Sequence, residues 1–270
     1  MKQKERITAL ITGAASGIGA ATAGRFKEAG SRVYSLDKNS VTSGVSDVSF
    51  TCDITDKESL DRVALELQER NEQLDVIVCT AGIHTMVSFV EGDVDRIKRL
   101  IDVNLLGTVQ TVHALYPYLK PNGRIIIVTS EVAAYDPMPF NGLYNVSKTA
   151  LDCYAQALRQ ELNLLGQKVV TVRPGATATP LADSTTASTR ELTENTVLYK
   201  KQAKHFLHLV DKFKGKPVSP RAIADVIYKA AIKKRPRIVY TKHRSIGLVL
   251  LSVLPLRLQC LIIKLLLNKK

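Results

Sequence analysis

Short, continuously apolar runs alternate along the chain with longer stretches in which apolar residues recur every three or four positions. The short runs predict strands buried on both faces of a parallel sheet, and the longer stretches predict amphipathic helices. The predicted strands span residues 6–12, 33–36, 48–52, 74–80, 123–129, 169–172 and 237–240. The predicted helices span residues 17–29, 56–70, 94–119, 142–165 and 220–234. This alternation predicts a single α/β domain over residues 1–240, with a doubly wound parallel sheet and helices on both faces.

A glycine-rich turn, Thr-Gly-Ala-Ala-Ser-Gly-Ile-Gly at residues 12–19, joins the first predicted strand to the first helix. Small residues let backbone N–H groups approach a pyrophosphate, and the N-terminus of the helix stabilises its charge. Glycines mark turns for many reasons, but a turn placed between a first strand and an apolar helix is more specific. It predicts a Rossmann-type dinucleotide site.

Asp37 stands at the end of the second predicted strand. An acid in this position accepts hydrogen bonds from the adenosine ribose and repels a 2′-phosphate, which favours NAD over NADP. The alternative is an ordinary turn or helix-capping aspartate, and the neighbouring Lys38 weakens the preference for NAD.

Tyr144 and Lys148 lie at the start of the helix predicted over residues 142–165. At a spacing of four residues their side chains project from the same helical face. A free tyrosine loses its proton near pH ~10, and a neighbouring ammonium lowers that pKa towards neutrality. Ser130 follows the fifth predicted strand, at the edge of the sheet where ligands bind in open parallel sheets. Most pairs with this spacing are simply surface neighbours, and a serine at a strand end is often a turn residue, so an acid/base site beside the dinucleotide is predicted only together with the rest of the chain.

The ordered set formed by residues 12–19, Asn104, Ser130, Tyr144, Lys148 and Pro174-Gly175 resembles the short-chain dehydrogenase/reductase family over residues 6–240. The resemblance implies that Tyr144 is the general acid/base and that Ser130 orients the substrate oxygen. It implies that Lys148 holds the nicotinamide ribose and lowers the pKa of Tyr144. Asn104 is implied to hold a helix distortion and a water that links Lys148 to solvent.

The same resemblance implies a cofactor site that begins at the glycine-rich turn and ends beside the nicotinamide. Its members are Gly13, Ser16, Gly17, Ile18, Gly19, Asp37, Asp53, Ile54, Ala81, Gly82, Tyr144, Lys148, Pro174, Gly175, Thr177 and Thr179. The family usually has Asn-Asn-Ala-Gly after the fourth strand, where this chain has Cys79-Thr80-Ala81-Gly82. That departure puts in doubt a hydrogen bond that ties the central sheet together, and leaves the catalytic set intact.

The expected activity is hydride transfer between NAD(H) and a secondary alcohol or ketone. Ser130-Glu131 and the segment Pro-Met-Pro-Phe at residues 137–140 resemble hydroxysteroid-type members and suggest a hydrophobic substrate such as a hydroxysteroid or bile-acid-like lipid. Retinol, another lipid alcohol or a 3-oxoacyl group are alternatives, as is a non-catalytic dinucleotide sensor on the same fold. Residues 185–213, polar and weakly patterned, are expected to be a mobile segment that covers the substrate.

The composition predicts a cytoplasmic protein without a bound metal ion. The four cysteines are scattered and three lie in apolar runs, which predicts buried, reduced thiols in a reducing compartment. The five histidines are dispersed, so no metal site is predicted. The basic N-terminus followed by an apolar run is similar to a secretion signal, but the run breaks at once into the glycine-rich turn, and no signal is predicted.

The net charge of +13 belongs mainly to the end of the chain, because residues 226–270 contain eleven Lys/Arg and no acid. Residues 241–270 form a basic, apolar tail without Phe, Tyr or Trp, which argues against nucleic-acid binding. Arg257, Cys260, Lys264 and Asn268 form one polar stripe on a predicted helix. Residues 246–270 therefore either contact a membrane peripherally or pack on the substrate-covering segment or a neighbouring subunit. We expect a homo-oligomer, a dimer or a tetramer.

Overall fold

The computed structural model describes residues 6–213 and 216–269. The predictions for residues 1–5, 214–215 and 270 lie outside the described residues. Within them, seven strands form one parallel sheet in the order β3-β2-β1-β4-β5-β6-β7. The strands are β1 (Thr8–Thr12), β2 (Arg32–Asp37), β3 (Val48–Thr51), β4 (Leu74–Cys79), β5 (Leu119–Val128), β6 (Lys168–Pro174) and β7 (Val239–Lys242). This order confirms the predicted doubly wound, Rossmann-type sheet. From β1 to β3 the strands are added towards one edge, and the chain then returns to the other side of β1 to form β4.

Helices cover both faces of this sheet. Among the described residues, the helices are α1 (Gly17–Glu28), α2 (Lys57–Glu69), α3 (Val94–Ile101), α4 (Gly107–Leu115), α5 (Gly142–Leu164), α6 (Pro180–Asn195), α7 (Lys200–Phe213), α8 (Pro220–Ile232), α9 (Ile246–Ser252) and α10 (Leu256–Leu267). One face of the sheet is covered by α2, α4 and α5, and the other by α1 and α8. Asp56 caps α2, as its carboxylate accepts a hydrogen bond from the backbone N–H of Glu58 at 3.1 Å.

Two hydrophobic cores lie on opposite faces of the sheet, because successive side chains of a strand point to opposite sides. Leu10 of β1 faces the core shared with α2, α4 and α5. Its neighbours Ala9 and Ile11 face the core shared with α1 and α8, where Phe26 and Ile223 are fully buried. Burial on both faces explains why the strands read as continuous apolar runs.

One predicted helix is divided in the structure, and the segment predicted to be a mobile cover for the substrate contains helices, while that covering role stays a prediction. The helix predicted over residues 94–119 is divided, because a π-helical turn, Asp102–Leu106, separates α3 from α4. Residues 185–213 are mostly helical, in α6 and α7. Tertiary contacts hold them: the N–H of Met86 donates to Ser188 Oγ at 3.0 Å, and Glu91 accepts from the N–H groups of Val197 and Leu198.

The cysteines are free thiols. The prediction of burial is correct for Cys52 and Cys79, whereas Cys153 and Cys260 are exposed because each lies on the outer side of its helix. Within the described ranges, every helix is too short or too polar to traverse a bilayer.

Candidate active site

A cavity of about 1420 Å³ opens along the carboxyl ends of the parallel strands. A drug-sized ligand typically needs about 300–1,000 Å³, so this cavity has room for a second molecule beside a first. It brings together every predicted site residue except Asn104: Gly13, Ser16, Gly17, Ile18, Gly19, Asp37, Asp53, Ile54, Ala81, Gly82, Ser130, Tyr144, Lys148, Pro174, Gly175, Thr177 and Thr179 all line it.

The glycine-rich turn has no space for side chains, and a turn without side chains can bring its backbone close to a dinucleotide. A Cβ on Gly19 would lie 1.9 Å from the carbonyl oxygen of Gly13. Gly13 has a φ of +68°, and a Cβ there would lie 2.8 Å from Cα of Ala81. Gly17 begins α1 close to Thr179, so the turn after β1 and the loop after β6 face each other. Because the turn carries no side chains at these glycines, the backbone N–H groups at the start of α1 stay accessible to a pyrophosphate.

Asp37 ends β2 and packs against this turn. One carboxylate oxygen accepts a hydrogen bond from the N–H of Ala15 at 3.0 Å, and the other accepts from the N–H of Asn39 at 2.9 Å. Each oxygen has further acceptor capacity for a ribose hydroxyl. Lys38 also lines the cavity, so a positive charge stands next to the carboxylate.

Asp53 and Ile54 follow β3 on the same side of the cavity. The N–H of Thr55 donates to the Asp53 carboxylate at 2.9 Å, and this hydrogen bond is the main reason why the pKa of Asp53 is lowered. Lys38 and Arg99 add a smaller electrostatic contribution in the same direction. The Ile54 side chain is buried, and the absence of a side chain at Gly107 makes room for it.

Tyr144 lies in the first turn of α5 and is buried. Burial raises the pKa of its phenol to about 12, and hydrogen bonding by Ser130 opposes the rise. The sequence predicted that Lys148 lowers this pKa, and that contribution stays a prediction. Loss of hydration dominates, and a phenol in this environment is a proton donor at neutral pH.

Lys148 lies one turn further along α5 with its ammonium 5.8 Å from the centre of the Tyr144 ring. Its Nζ donates to the carbonyl oxygen of Val128 at 3.4 Å. Burial lowers the pKa of Lys148 to about 8, because the charged form loses its hydration. Gly82 packs beside this ammonium: a Cβ there would lie 3.3 Å from Nζ and 3.1 Å from Oδ1 of Asn104.

Asn104 is fully buried in the π-helical turn and stands behind the cavity wall. Its Oδ1 accepts from the N–H of Ile83 at 2.7 Å, and its Nδ2 donates to the carbonyl of Ile83 at 2.9 Å and to Ser147 Oγ at 3.0 Å. Asn104 therefore joins the loop after β4 to α5, next to Tyr144 and Lys148.

At Cys79-Thr80, where the chain departs from the usual family motif, threonine hydroxyl groups make hydrogen bonds between neighbouring strands. The Thr80 hydroxyl donates to the carbonyl oxygen of Thr12, and the Thr12 hydroxyl accepts from the N–H groups of Thr80 and Ala81 at 3.2 and 3.3 Å. These contacts tie the ends of β1 and β4 together. Cys79 is buried in the hydrophobic core, where burial raises the pKa of its thiol to about 12.

His84 lines the cavity beside Tyr144 and was not predicted from the sequence. The two ring centres lie 4.2 Å apart. His84 Nε2 is 2.9 Å from Oδ1 of Asn141, and its Nδ1 is buried without a hydrogen-bond partner. Burial lowers the pKa of His84 to about 4, so the ring is neutral at physiological pH. The one sequence signal is its place two residues after Gly82, in a loop that the cofactor motif already marked.

The other end of the cavity is lined by aliphatic and aromatic side chains from four helices and the loop before α5. These residues are Met86, Met138, Leu181, Phe206, Leu209, Val210, Ile246, Leu248, Leu251, Leu254, Ile262 and Leu266. The tail thus packs over the cavity and on α7: Gln202 Nε2 donates to Oδ1 of Asn268 at 2.7 Å, and His205 Nδ1 lies 2.8 Å from the carbonyl oxygen of Leu267. Among the described residues, no cluster of three or more His, Cys, Asp or Glu side chains could hold a metal ion.

The sheet is Rossmann-type, and one cavity contains both a glycine-rich cofactor turn and a group of Ser, Tyr and Lys. Together these features define a class of dinucleotide-dependent oxidoreductases. A family model described as "short chain dehydrogenase" matches residues 7–190 of this chain. The chain belongs to the short chain dehydrogenase family and is an oxidoreductase of that family, whose fold binds nicotinamide dinucleotides.

Three relatives illustrate the similarity. An uncharacterized oxidoreductase of Staphylococcus epidermidis is 28% identical over 203 residues, which cover 72% of this chain and 87% of the relative. A 3-ketodihydrosphingosine reductase of Bacteroides thetaiotaomicron is 27% identical over 229 residues, 84% of each chain. The crystal structure of a short chain dehydrogenase from Burkholderia cenocepacia in complex with NADP superposes with a TM-score of 0.73 at 22% identity, covering 98% of this chain and 99% of that chain.

Proposed function

We propose that this protein is an NAD(H)-dependent oxidoreductase that interconverts a secondary alcohol and a ketone on a hydrophobic substrate. The observation that carries the proposal is the position of Ser130, Tyr144 and Lys148. They line the cavity between the glycine-rich turn and the aliphatic end contributed by the C-terminal helices. A hydride donor on one side and a carbonyl on the other would meet at Tyr144.

A nicotinamide cofactor, when bound, would supply or accept the hydride, and the protein would manage the accompanying proton. In the reductive direction, Tyr144 donates its phenolic proton to the substrate oxygen, and Ser130 donates a hydrogen bond that orients that oxygen. A phenol whose pKa is about 12 is fully protonated at neutral pH and ready for this step. In the oxidative direction Tyr144 must first lose its proton, which requires positive charge beside the phenol. Lys148 is the cation that α5 provides there.

Lys148 and Asn104 have supporting roles in this proposal. The Lys148 ammonium would hold the nicotinamide ribose hydroxyls and exchange protons with solvent. Asn104 keeps the loop after β4 and the π-helical turn in register with α5 through three hydrogen bonds. In this role Asn104 positions Lys148, and Asn104 itself does not line the cavity.

NAD(H) is favoured because the Asp37 carboxylate stands where the adenosine ribose would bind, and its charge disfavours a 2′-phosphate. NADP(H) is the second candidate. Lys38 and Arg99 line the same end of the cavity and could pair with a phosphate. The structural relative from Burkholderia cenocepacia was solved with NADP.

The proposed substrate is a bulky apolar alcohol or ketone, such as a hydroxysteroid or bile-acid-like lipid, because aliphatic side chains of α6, α7, α9 and α10 surround the substrate end. The steroid assignment depends on residues 130–131 and 137–140 alone. A long-chain 3-keto lipid is a second candidate, since a relative covered over 84% of its length is a 3-ketodihydrosphingosine reductase. Retinol and 3-oxoacyl groups fit the same apolar description.

The test is a substrate panel for the purified full chain, with NADH and NADPH for the ketones and with NAD+ and NADP+ for the alcohols. It contains ketosteroids, hydroxysteroids, retinol, a long-chain 3-keto lipid and short-chain ketones and alcohols, and NADH absorbance is the readout. We expect turnover of at least one apolar ketone or alcohol, with NADH preferred to NADPH. A chain that binds NADH and turns over no member of the panel would instead be a dinucleotide sensor.

A further inference from the structure

The C-terminal helices α9 and α10 have two different faces. The inner face closes the cavity, through Leu248, Leu251, Ile262 and Leu266. Gln259 fixes that face: it is buried, and its Nε2 donates to Oδ2 of Asp136 at 2.9 Å and to the carbonyl oxygen of Leu254 at 2.8 Å. The inner contacts leave the outer face without a partner among the residues that the structure describes.

The outer face is apolar and exposed. Seven large aliphatic side chains between residues 246 and 265 are exposed: Ile246, Leu250, Val253, Leu256, Leu258, Leu261 and Leu265. Leu258, Leu261 and Leu265 share one side of α10 by their spacing of three and four residues. Single exposed leucines are ordinary on protein surfaces, whereas a row of them on one pair of helices marks a contact surface.

Positive charge borders this apolar row. Arg257 and Lys264 are exposed on α10 beside the leucines, and Lys201 and Lys204 are exposed on α7, which packs against α10. No acid occurs among residues 226–270. Exposed leucines flanked by Lys and Arg are the pattern of a helix that lies in the plane of an anionic membrane surface. With 7 and 12 residues, α9 and α10 are much shorter than the ~20 residues of a membrane-spanning helix.

The cavity reaches the surface at this same place. Ile246 and Leu250 both line the cavity and are 76% and 63% exposed. An apolar molecule that leaves a bilayer beside α9 would therefore enter the cavity without crossing open water. The surface of α9 and α10 and the proposed substrate site are continuous.

We propose that α9 and α10 lie on an anionic phospholipid surface and that the apolar substrate enters the cavity from that surface beside α9. The substrate part rests on the proposed function; the docking part does not. A second copy of this chain is a poor occupant, because it would bring an equally basic surface against this one. An anionic bilayer offers both an apolar interior and phosphate groups, and so matches both features of the face.

The test uses the full chain and sedimentation with vesicles of phosphatidylcholine, alone or mixed with phosphatidylglycerol. The variant Leu258→Gln/Leu261→Gln/Leu265→Gln changes residues that do not line the cavity. The matched control is Leu164→Gln/Leu165→Gln, two exposed leucines where α5 ends at the opposite edge of the sheet. A charge variant is Arg257→Gln/Lys264→Gln. Circular dichroism and cooperative urea unfolding report folding of every variant, and turnover of a water-soluble ketone with NADH reports its active site.

We expect anionic vesicles to bind on the order of tenfold more of the wild-type protein than neutral vesicles do, with loss of binding at high salt. The triple leucine variant and the charge variant should lose this binding, while the control keeps it and all variants keep ketone turnover. Equal binding by the triple variant and the wild type, or no binding by either, would overturn the proposal. So would a smaller assembly size of the triple variant in solution, which would assign the face to self-association.

The two proposals fail separately. Vesicle binding without any ketone or alcohol turnover would leave the docking surface in place and refute the proposed enzyme function. Turnover without vesicle binding would leave the proposed enzyme function in place and refute the docking surface. If both hold, transfer from vesicles gives the last check. A vesicle-dissolved apolar ketone should be reduced more slowly by the triple variant, while reduction of a water-soluble ketone is unchanged.

Discussion

The Glu131 carboxylate accepts a hydrogen bond from the backbone N–H of Ser245 at 2.7 Å. Glu131 is next to Ser130 at the end of β5, and Ser245 caps the start of α9. The residue beside the proposed catalytic serine therefore holds the first turn of the helices that close the cavity. Burial raises the pKa of Glu131, which the hydrogen bond from Ser245 and the nearby His243 and Arg244 oppose.

Glu131→Ala should loosen the start of α9, because the N–H of Ser245 loses its acceptor. We expect the free energy of unfolding to fall by about 1–3 kcal/mol. The KM for an apolar ketone should rise more than the KM for NADH. Glu131→Gln, which keeps a side-chain oxygen, is the control and should remain close to wild type. An unchanged KM for the ketone in Glu131→Ala would refute this anchoring role.

His84 should make the folded state sensitive to acid. Its folded pKa of about 4 lies below its ordinary value of 6.5, so the unfolded chain binds the proton more readily. The contribution to stability is present above pH 6.5 and is lost as the pH falls towards 4, by about 3 kcal/mol for a shift of this size. Urea unfolding across this pH range should show a flatter profile for His84→Gln. Identical profiles for the variant and the wild type would contradict the buried, neutral imidazole.

Asn104→Ala removes three hydrogen bonds from a fully buried site. We expect a loss of about 2–4 kcal/mol of unfolding free energy, since the N–H and carbonyl of Ile83 are left unpaired. The kcat for ketone reduction should fall together with stability, whereas NADH binding at the glycine-rich turn should be less affected. A variant with wild-type kcat would show that the π-helical turn does not depend on this side chain.

Much of this architecture follows from the apolar pattern, for a physical reason. Strands of a parallel sheet are buried on both faces, so β1, β4 after Asp75 and the last four residues of β5 read as apolar runs. The glycine-rich turn is equally visible, because steric crowding at Gly13 and Gly19 restricts the residue type. Such signals are local, and sequence reasoning finds them.

Other features depend on contacts between distant segments and leave no local pattern. Residues 185–213 are weakly patterned in sequence because α6 is Thr-rich and the segment is stabilised from outside, by Glu91 and by the contact of Met86 with Ser188. His84 acquires its environment only when Asn141 and Tyr144 approach it from α5. The raised pKa of Tyr144 is likewise a consequence of burial, which the spacing to Lys148 does not reveal.

Asp37 should control the choice between the two cofactors. Asp37→Asn removes the negative charge and keeps an oxygen that can accept from Ala15 N–H. We expect the ratio of kcat/KM for NADPH to that for NADH to rise on the order of tenfold, because a like-charge contact with the 2′-phosphate is relieved. Lys38→Ala should change the ratio in the opposite direction. An unchanged ratio in Asp37→Asn would mean that this carboxylate only supports the turn.

The most direct test of the central claim is the single-turnover and steady-state reduction of an apolar ketone by Tyr144→Phe. The substitution removes only the phenolic hydroxyl and keeps the ring that packs on His84. General acid/base catalysis typically contributes ~10²–10⁴-fold, so we predict a loss of kcat in that range with the Kd for NADH within about twofold of wild type. A wild-type kcat in Tyr144→Phe would contradict the assignment of Tyr144 as the proton donor.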